Sequence, residues 1–213
     1  MSGVEWNDDD GIRFRHYGSY NDYVGHQAAK LATLTLTAYS AEFKEALAAR
    51  LDGLSALPRG TTVLCLGARN GAECEVFIER GFFAIGIDLN PGESNKHVVY
   101  GDFHHLQFSD NTVDVVFTNT LDHAFEFDRL LGEVRRVLKP NGLFVAEIVR
   151  GSKDKDGREP GAYESAWWDF VQTVADRIER QDFSLLKRQR FHRPWEGDQF
   201  IYSMRRAVTP SFP

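Results

Sequence analysis

Thr61-Thr62-Val63-Leu64-Cys65-Leu66-Gly67-Ala68-Arg69-Asn70-Gly71 is the stretch that decides the architecture. Thr61 to Leu66 is a continuous run of β-branched and aliphatic residues, the pattern of a strand buried on both faces. Gly67 to Gly71 makes a loop with a glycine at each end. Ala72 to Arg80 reads as a helix, and Gly81 stands where a helix C-cap glycine belongs. Strand, glycine loop and helix in succession begin a parallel α/β unit.

Further units follow downstream. Phe82 to Asp88 (FFAIGID) is a second strand, Lys96 to Tyr100 a short third and Thr112 to Thr118 (TVDVVFT) a fourth. Phe127, Leu130, Leu131, Val134, Val137 and Leu138 recur at spacings of three and four, which marks one face of a helix. Lys139-Pro140-Asn141-Gly142 ends it as a tight turn, and Leu143 to Val149 is a fifth strand. The polar loop Gly151 to Gly161 leads to a helix carrying Trp167, Phe170, Val171, Val174 and Ile178. Two last strands fall near 183–191 and 198–207. With no helix between them they pair as a hairpin or an antiparallel edge, because a parallel return needs a crossover of about a dozen residues.

Upstream, Tyr20 to Leu54 is helical in pattern, and Leu57-Pro58-Arg59-Gly60 breaks it. Residues 1–19 form a polar arm with an acidic cluster, Asp8 to Asp10. The expected organisation is an arm with cap helices over 1–56 and one compact α/β unit over 57–213, without internal repeats.

The 213 residues suit one such unit with a buried core. Net charge is -6, from 25 basic and 31 acidic residues, which lacks the positive field of a general nucleic-acid binder. The local basic run Lys187, Arg188, Arg190 and Arg193 reads as a solvated strand face. No apolar run approaches the ~20 residues that span a bilayer. Cys65 and Cys74 have no metal-ligand spacing, so a disulfide framework is not expected and reduced thiols point to the cytoplasm.

Four segments carry chemistry, and all lie at the carboxyl ends of strands, where open α/β sheets bind ligands. The Gly67–Gly71 loop allows close approach to the main chain, and free amides at the following helix can receive an anion. Asp88 stands 21 residues beyond Gly67, the spacing at which a carboxylate receives ribose hydroxyls; its alternative role is to start the Asn90-Pro91-Gly92 turn. Asp102 can accept a hydrogen bond from an exocyclic amine or serve as a helix cap, with Phe103 or Leu89 over a ring. Asn119-Thr120-Leu121-Asp122-His123 follows the fourth strand.

In this order the segments resemble the class I S-adenosylmethionine (SAM)-dependent methyltransferase superfamily, and within it the small-molecule group called methyltransferase type 11. The resemblance covers about residues 60–150, through VLCLGARNG, GIDLNP, GDFHHLQFSDNTVDVVFTN and LLGEVRRVLKPNGLFVAEI. It implies a Rossmann-like doubly wound sheet of order 3-2-1-4-5-7-6 with strand seven antiparallel, SAM as cofactor and S-adenosylhomocysteine as product. By similarity Gly67, Ala68, Arg69, Asn70 and Gly71 frame the methionine end. Asp88 holds the ribose hydroxyls, Leu89 and Asn90 are cofactor-binding residues beside it, and Asp102 faces the adenine amine with Phe103 beside the ring. Asn119, Thr120 and Leu121 line the floor near the sulfonium. Tyr17, Tyr20, Tyr23, His26 and Gln27 resemble the cap helix of such enzymes. The chain departs from the family at Cys65, where an acid is usual, and at Arg69, where the middle glycine of GxGxG is usual. The Asn-Thr-Leu-Asp segment lacks the signature of amino-methylating DNA enzymes.

His123 is the candidate general base, with His26 and His192 behind it. Adjacent His104 and His105 point apart and find no third ligand, so no metal is expected. The acceptor implied is a small molecule or glycan, methylated on oxygen or nitrogen. A non-catalytic SAM or nucleotide binder on the same fold is the competing reading, and a nicotinamide oxidoreductase is a third, disfavoured by the loop spacing.

Overall fold

The computed structural model describes residues 5–29, 36–92, 95–154, 161 and 163–205, with 36–39 by backbone alone. The chain opens with a hairpin, β1 (Trp6–Asp9) and β2 (Ile12–Arg15), and continues into α1 (Tyr20–Ala29) and α2 (Leu36–Arg50). Then come β3 (Thr62–Leu66), α3 (Ala72–Glu79), β4 (Phe83–Asp88), β5 (Val98–Tyr100), β6 (Val113–Thr118), α4 (Phe127–Val137) and β7 (Leu138–Val149). The short β8 (Ala166–Trp168), α5 (Val171–Arg180), β9 (Phe183–Phe191) and β10 (Gly197–Met204) complete it.

The central sheet has the order β5-β4-β3-β6-β7-β10-β9. β3 pairs in parallel with β4 and β6, and β10 runs antiparallel to both β7 and β9. The expected order 3-2-1-4-5-7-6, with its seventh strand reversed, is therefore observed. Alternation along each strand divides the core into two layers. Leu64, Leu66, Val116, Phe144, Ala146, Phe200 and Tyr202 face α4 and α5. Val63, Cys65, Val115, Phe117, Val145 and Ile201 face α2 and α3. The α4 face read from its periodicity is buried throughout.

Three expectations need correction. The arm is a hairpin: Asp10 and Gly11 take left-handed φ of 56° and 81° between β1 and β2, the geometry of a tight two-residue turn. Trp167 belongs to no helix. It lies in β8, which pairs antiparallel with β2 through Ile12↔Trp168, Arg13↔Trp167 and Phe14↔Ala166. In a strand neighbouring side chains project to opposite faces, and Trp167 and Trp168 are both buried. The Lys139–Gly142 turn is real, with Asn141 at φ 72°, but Leu138 is already paired to Val113 before it and Leu143 to Val115 after it. The turn is thus an excursion within the β6–β7 ladder. The last strand ends at Met204, and positions 206–207 of its expected span lie outside the described residues, as do 155–160 of the polar loop. Cys65 and Cys74 are free and buried.

Candidate functional site

The Gly67–Gly71 loop is held at the carboxyl end of β3 by strand ends on either side. Gly67 has φ 67°, and a Cβ there would lie 2.4 Å from Thr120 Oγ1. Glycine is required both for the left-handed backbone and for the approach of Thr120 from the end of β6. Gly71 also has positive φ, 76°, where α3 begins. Ala68 N donates to Ile87 O at 3.0 Å. Asp88, at the tip of β4, is the hub of the loop: Oδ2 accepts from Arg69 N at 3.0 Å and Oδ1 from Asn90 N at 2.7 Å. It therefore does start the Asn90-Pro91-Gly92 turn. A carboxylate offers about four acceptor sites, and each oxygen retains one beyond these bonds.

The neighbouring strand places Asp102 beside Asp88, since Tyr100 of β5 pairs with Asp88 and Gly101 N donates to Asp88 O at 3.0 Å. Asp102 Oδ1 accepts from His104 N at 2.8 Å and lies 2.9 Å from His104 Nδ1, and Oδ2 accepts from Tyr20 Oη at 2.7 Å. Burial pushes this carboxyl upward, but the bonds from His104 and Tyr20 outweigh it and hold the group below the usual carboxylate range. Tyr23 of α1 is 1% exposed. Burial, then the charge of Asp102 and more weakly that of Asp88, raise its hydroxyl pKa, so it lies within electrostatic reach of both acids. Its ring packs on Phe125 at 4.4 Å and on His104 at 5.6 Å. Phe103 is buried against the His104 ring at 4.6 Å. Leu89 and Asn90 are half-buried.

At the end of β6, Thr118 Oγ1 lies 3.0 Å from Thr120 Oγ1 and both approach Leu66 O. Asn119 is half-buried, whereas Leu121 lies in the hydrophobic core with the α4 residues. His123 Nδ1 is 3.2 Å from Tyr163 O. A carbonyl only accepts, so Nδ1 donates here, and Nε2 lies 3.8 Å from Asp122 Oδ1. The polar side of α1 meets the start of β8: Tyr17 Oη bridges His26 Nδ1 at 2.8 Å and Ser165 Oγ at 2.7 Å, and Gln27 Nε2 donates to Ser165 Oγ at 3.0 Å. His192 lies elsewhere, paired to Glu196 at 3.1 Å on the surface.

Two features escape a reading of the sequence. Tyr20 as the partner of Asp102 depends on how α1 docks. Glu73, in the first turn of α3, is 5% exposed. An acid in a first turn is ordinarily a solvated complement to the helix dipole, so no local signal reveals its burial. Burial, with smaller contributions from Asp88 and Glu147 and opposed by Arg69, pushes its carboxyl up to about 8.

Residues 64–146 match the family model described as a methyltransferase domain. Over 71 residues the chain is 44% identical to the sterol 24-C-methyltransferase of Schizosaccharomyces pombe, covering 32% of this chain and 18% of that protein. Over 117 residues it is 33% identical to the demethylmenaquinone methyltransferase of Thermobifida fusca, covering 48% of each. The chain thus spans less than half the length of these curated relatives. A solved structure, the 1,6-didemethyltoxoflavin-N1-methyltransferase of Burkholderia thailandensis with bound S-adenosylhomocysteine, superposes with a TM-score of 0.71 at 18% identity, over 95% of this chain and 100% of that one. The matched residues include the glycine loop, Asp88 and Asp102. The family match is confined to residues 64–146, and the likeness to the solved structure extends the same Rossmann-like fold over nearly the whole chain.

Proposed function

We propose that this chain transfers a methyl group from SAM to a small molecule, with residues 1–56 covering the donor bound by 57–213. The observation that carries the reading is the convergence of four strand ends. The left-handed loop after β3, Asp88 after β4, Asp102 after β5 and Asn119–Thr120 after β6 share one edge of the sheet, under α1. In this reading Gly67, Ala68, Arg69, Asn70 and Gly71 receive the methionine end, and the open lone pairs of Asp88 receive the ribose hydroxyls beside Leu89 and Asn90. Asp102, already oriented by Tyr20 and His104, and Phe103 flank the adenine. Asn119, Thr120 and Leu121 support the region of the sulfonium, with Tyr23, His26 and Gln27 closing above.

SAM supplies a methyl group already activated on sulfur, so the protein's contribution is largely positioning and exclusion of water, worth up to about 7–11 kcal/mol in model systems. An acceptor hydroxyl must also lose its proton, and His123 is the candidate base to take it. The relatives named for sterol, demethylmenaquinone and didemethyltoxoflavin support an acceptor of low molecular weight. A glycan acceptor belongs to the same proposal, as does the choice between oxygen and nitrogen. No helix among the described residues is long and apolar enough to cross a membrane, and the two free thiols agree with a reducing cytoplasm.

Titration calorimetry with SAM, S-adenosylhomocysteine and NAD tests the reading. Binding of the first two and not of NAD is expected, with Asp88→Ala weakening SAM by about tenfold or more, as for loss of a charged acceptor. NAD binding without SAM binding overturns it. Formation of S-adenosylhomocysteine with a panel of small acceptors separates an enzyme from a binding protein.

A further inference from the structure

Asp122 follows β6 in the short helical turn Leu121–His123 and is 8% exposed. Its backbone carbonyl accepts from Ser165 N at 2.7 Å, which ties the end of β6 to the segment entering β8. Its carboxylate makes no hydrogen bond among the described residues. The one group within ion-pair distance there is His123, whose Nε2 lies 3.8 Å from Oδ1, beyond hydrogen-bond reach. The polar side chains at this junction are engaged with other groups. Tyr17 Oη bridges Ser165 Oγ and His26 Nδ1, Gln27 Nε2 donates to Ser165 Oγ, and His123 Nδ1 donates to Tyr163 O. None of these bonds reaches the carboxylate of Asp122. Aromatic rings border the same junction: Tyr17 packs edge-on against Phe125 at 6.0 Å, and His26 is stacked on Tyr163 at 6.3 Å. A carboxylate nine-tenths buried without a donor is costly. Beside ring faces, which attract an ammonium, it suits a cationic ligand.

Resting on the methyl-transfer reading, we propose that Asp122 is a specificity-determining residue that takes a protonated amine of the acceptor, so that the small molecule methylated here carries a basic nitrogen. The amine supplies both the missing donor and the missing opposite charge. A neutral hydroxyl in the same place leaves the buried charge uncompensated, and an anionic group is repelled by it. Selection therefore comes from the penalty of a stranded carboxylate as much as from the contact itself. Asp122 is adjacent to His123, the candidate base, so the amine is held near the atom that receives the methyl group.

Ligand-observed NMR on the full chain saturated with S-adenosylhomocysteine tests this with probes of one shape and different charge. At pH 7, 2-phenylethylamine is cationic, 2-phenylethanol neutral and phenylacetate anionic. The wild type should bind the amine about tenfold or more tighter than the alcohol, as for a hydrogen bond to a charged group, and phenylacetate most weakly. Asp122→Asn keeps the shape and removes the charge, so it should abolish the preference for the amine and leave S-adenosylhomocysteine affinity unchanged. Equal binding of the probes by the wild type, binding of none, or a preference kept by Asp122→Asn overturns the proposal. Weakened S-adenosylhomocysteine binding in Asp122→Asn overturns it as well, because the acid then serves the donor. Failure of the wild type to bind S-adenosylhomocysteine refutes the SAM reading itself. If Asp122→Asn does not fold, the order of the probes on the wild type decides alone.

Discussion

Arg50 of α2 and Glu147 of β7 form a bidentate ion pair in the interior, with Nε–Oε1 at 2.7 Å and Nη2–Oε2 at 2.8 Å and side-chain exposures of 5% and 0%. Arg50 also donates to Arg193 O at 2.7 Å and lies 4.2 Å over the Phe191 ring, and Gln199 Nε2 donates to Glu147 Oε1 at 2.9 Å. Breaking a buried pair strands the surviving charge. Glu147→Ala should therefore cost about 3–5 kcal/mol in denaturant unfolding, and the double change Arg50→Met with Glu147→Leu should recover most of that loss. Equal destabilisation of the single and double variants would show that the pair itself, and not the stranded charge, stabilises the α2–sheet junction.

Gly67→Ala combines a left-handed backbone with collision against Thr120. The backbone alone costs about 1–2 kcal/mol, and the collision adds to it. Adding Thr120→Ala removes the colliding Oγ1 and Cγ2 atoms, so the double variant should be more stable than the sum of the two single losses implies. Strict additivity in thermal unfolding would mean that the loop moves away from β6 instead.

The raised carboxyl of Glu73 has a measurable sign. Its folded value is about 8 and that of an unfolded chain about 4.3. Between those values the folded state holds the extra proton, so this group makes stability fall as pH rises from about 4 to 8. Ligand-free Glu73→Gln should melt above the wild type at pH 8, with the difference vanishing near pH 4.5. A difference independent of pH would mean that the acid is ionised in the fold.

His123→Gln should lower turnover of a hydroxyl acceptor by about 10²–10⁴ with little change in SAM affinity, as for removal of a general base. The acidic limb of the wild-type pH–rate profile should be lost with it. A retained limb would move the base to another group.

Legibility from sequence follows the periods involved. The α4 stripe Phe127–Val137 and the run Thr62–Leu66 each repeat at one period, and the structure keeps both. Trp167 and Trp168 are apolar at adjacent positions, which fits a helix or a strand equally until β2 supplies the partner. The Asp10-Gly11 turn did carry a hairpin signal, masked by the polarity of β1. At the site, Asp88 is visible because it ends β4 and Asp102 because it follows β5. Glu73 is not, because a first-turn acid carries no local sign of its burial and the anions acting on it, Asp88 and Glu147, belong to distant strands.

The small sheet β1-β2-β8 joins the beginning of the chain to the segment just before α5. Arg13 to Asp169 and Arg15 to Glu164 O reinforce that seam from outside the seven-stranded sheet. Whatever this seam encloses can be re-tailored by changing two peripheral pieces of sequence together, while the loops after β3 and β4 stay untouched. In such a layout, new acceptor preferences should arise through paired changes at residues 6–17 and 163–169, and chimaeras that swap one piece alone should lose register.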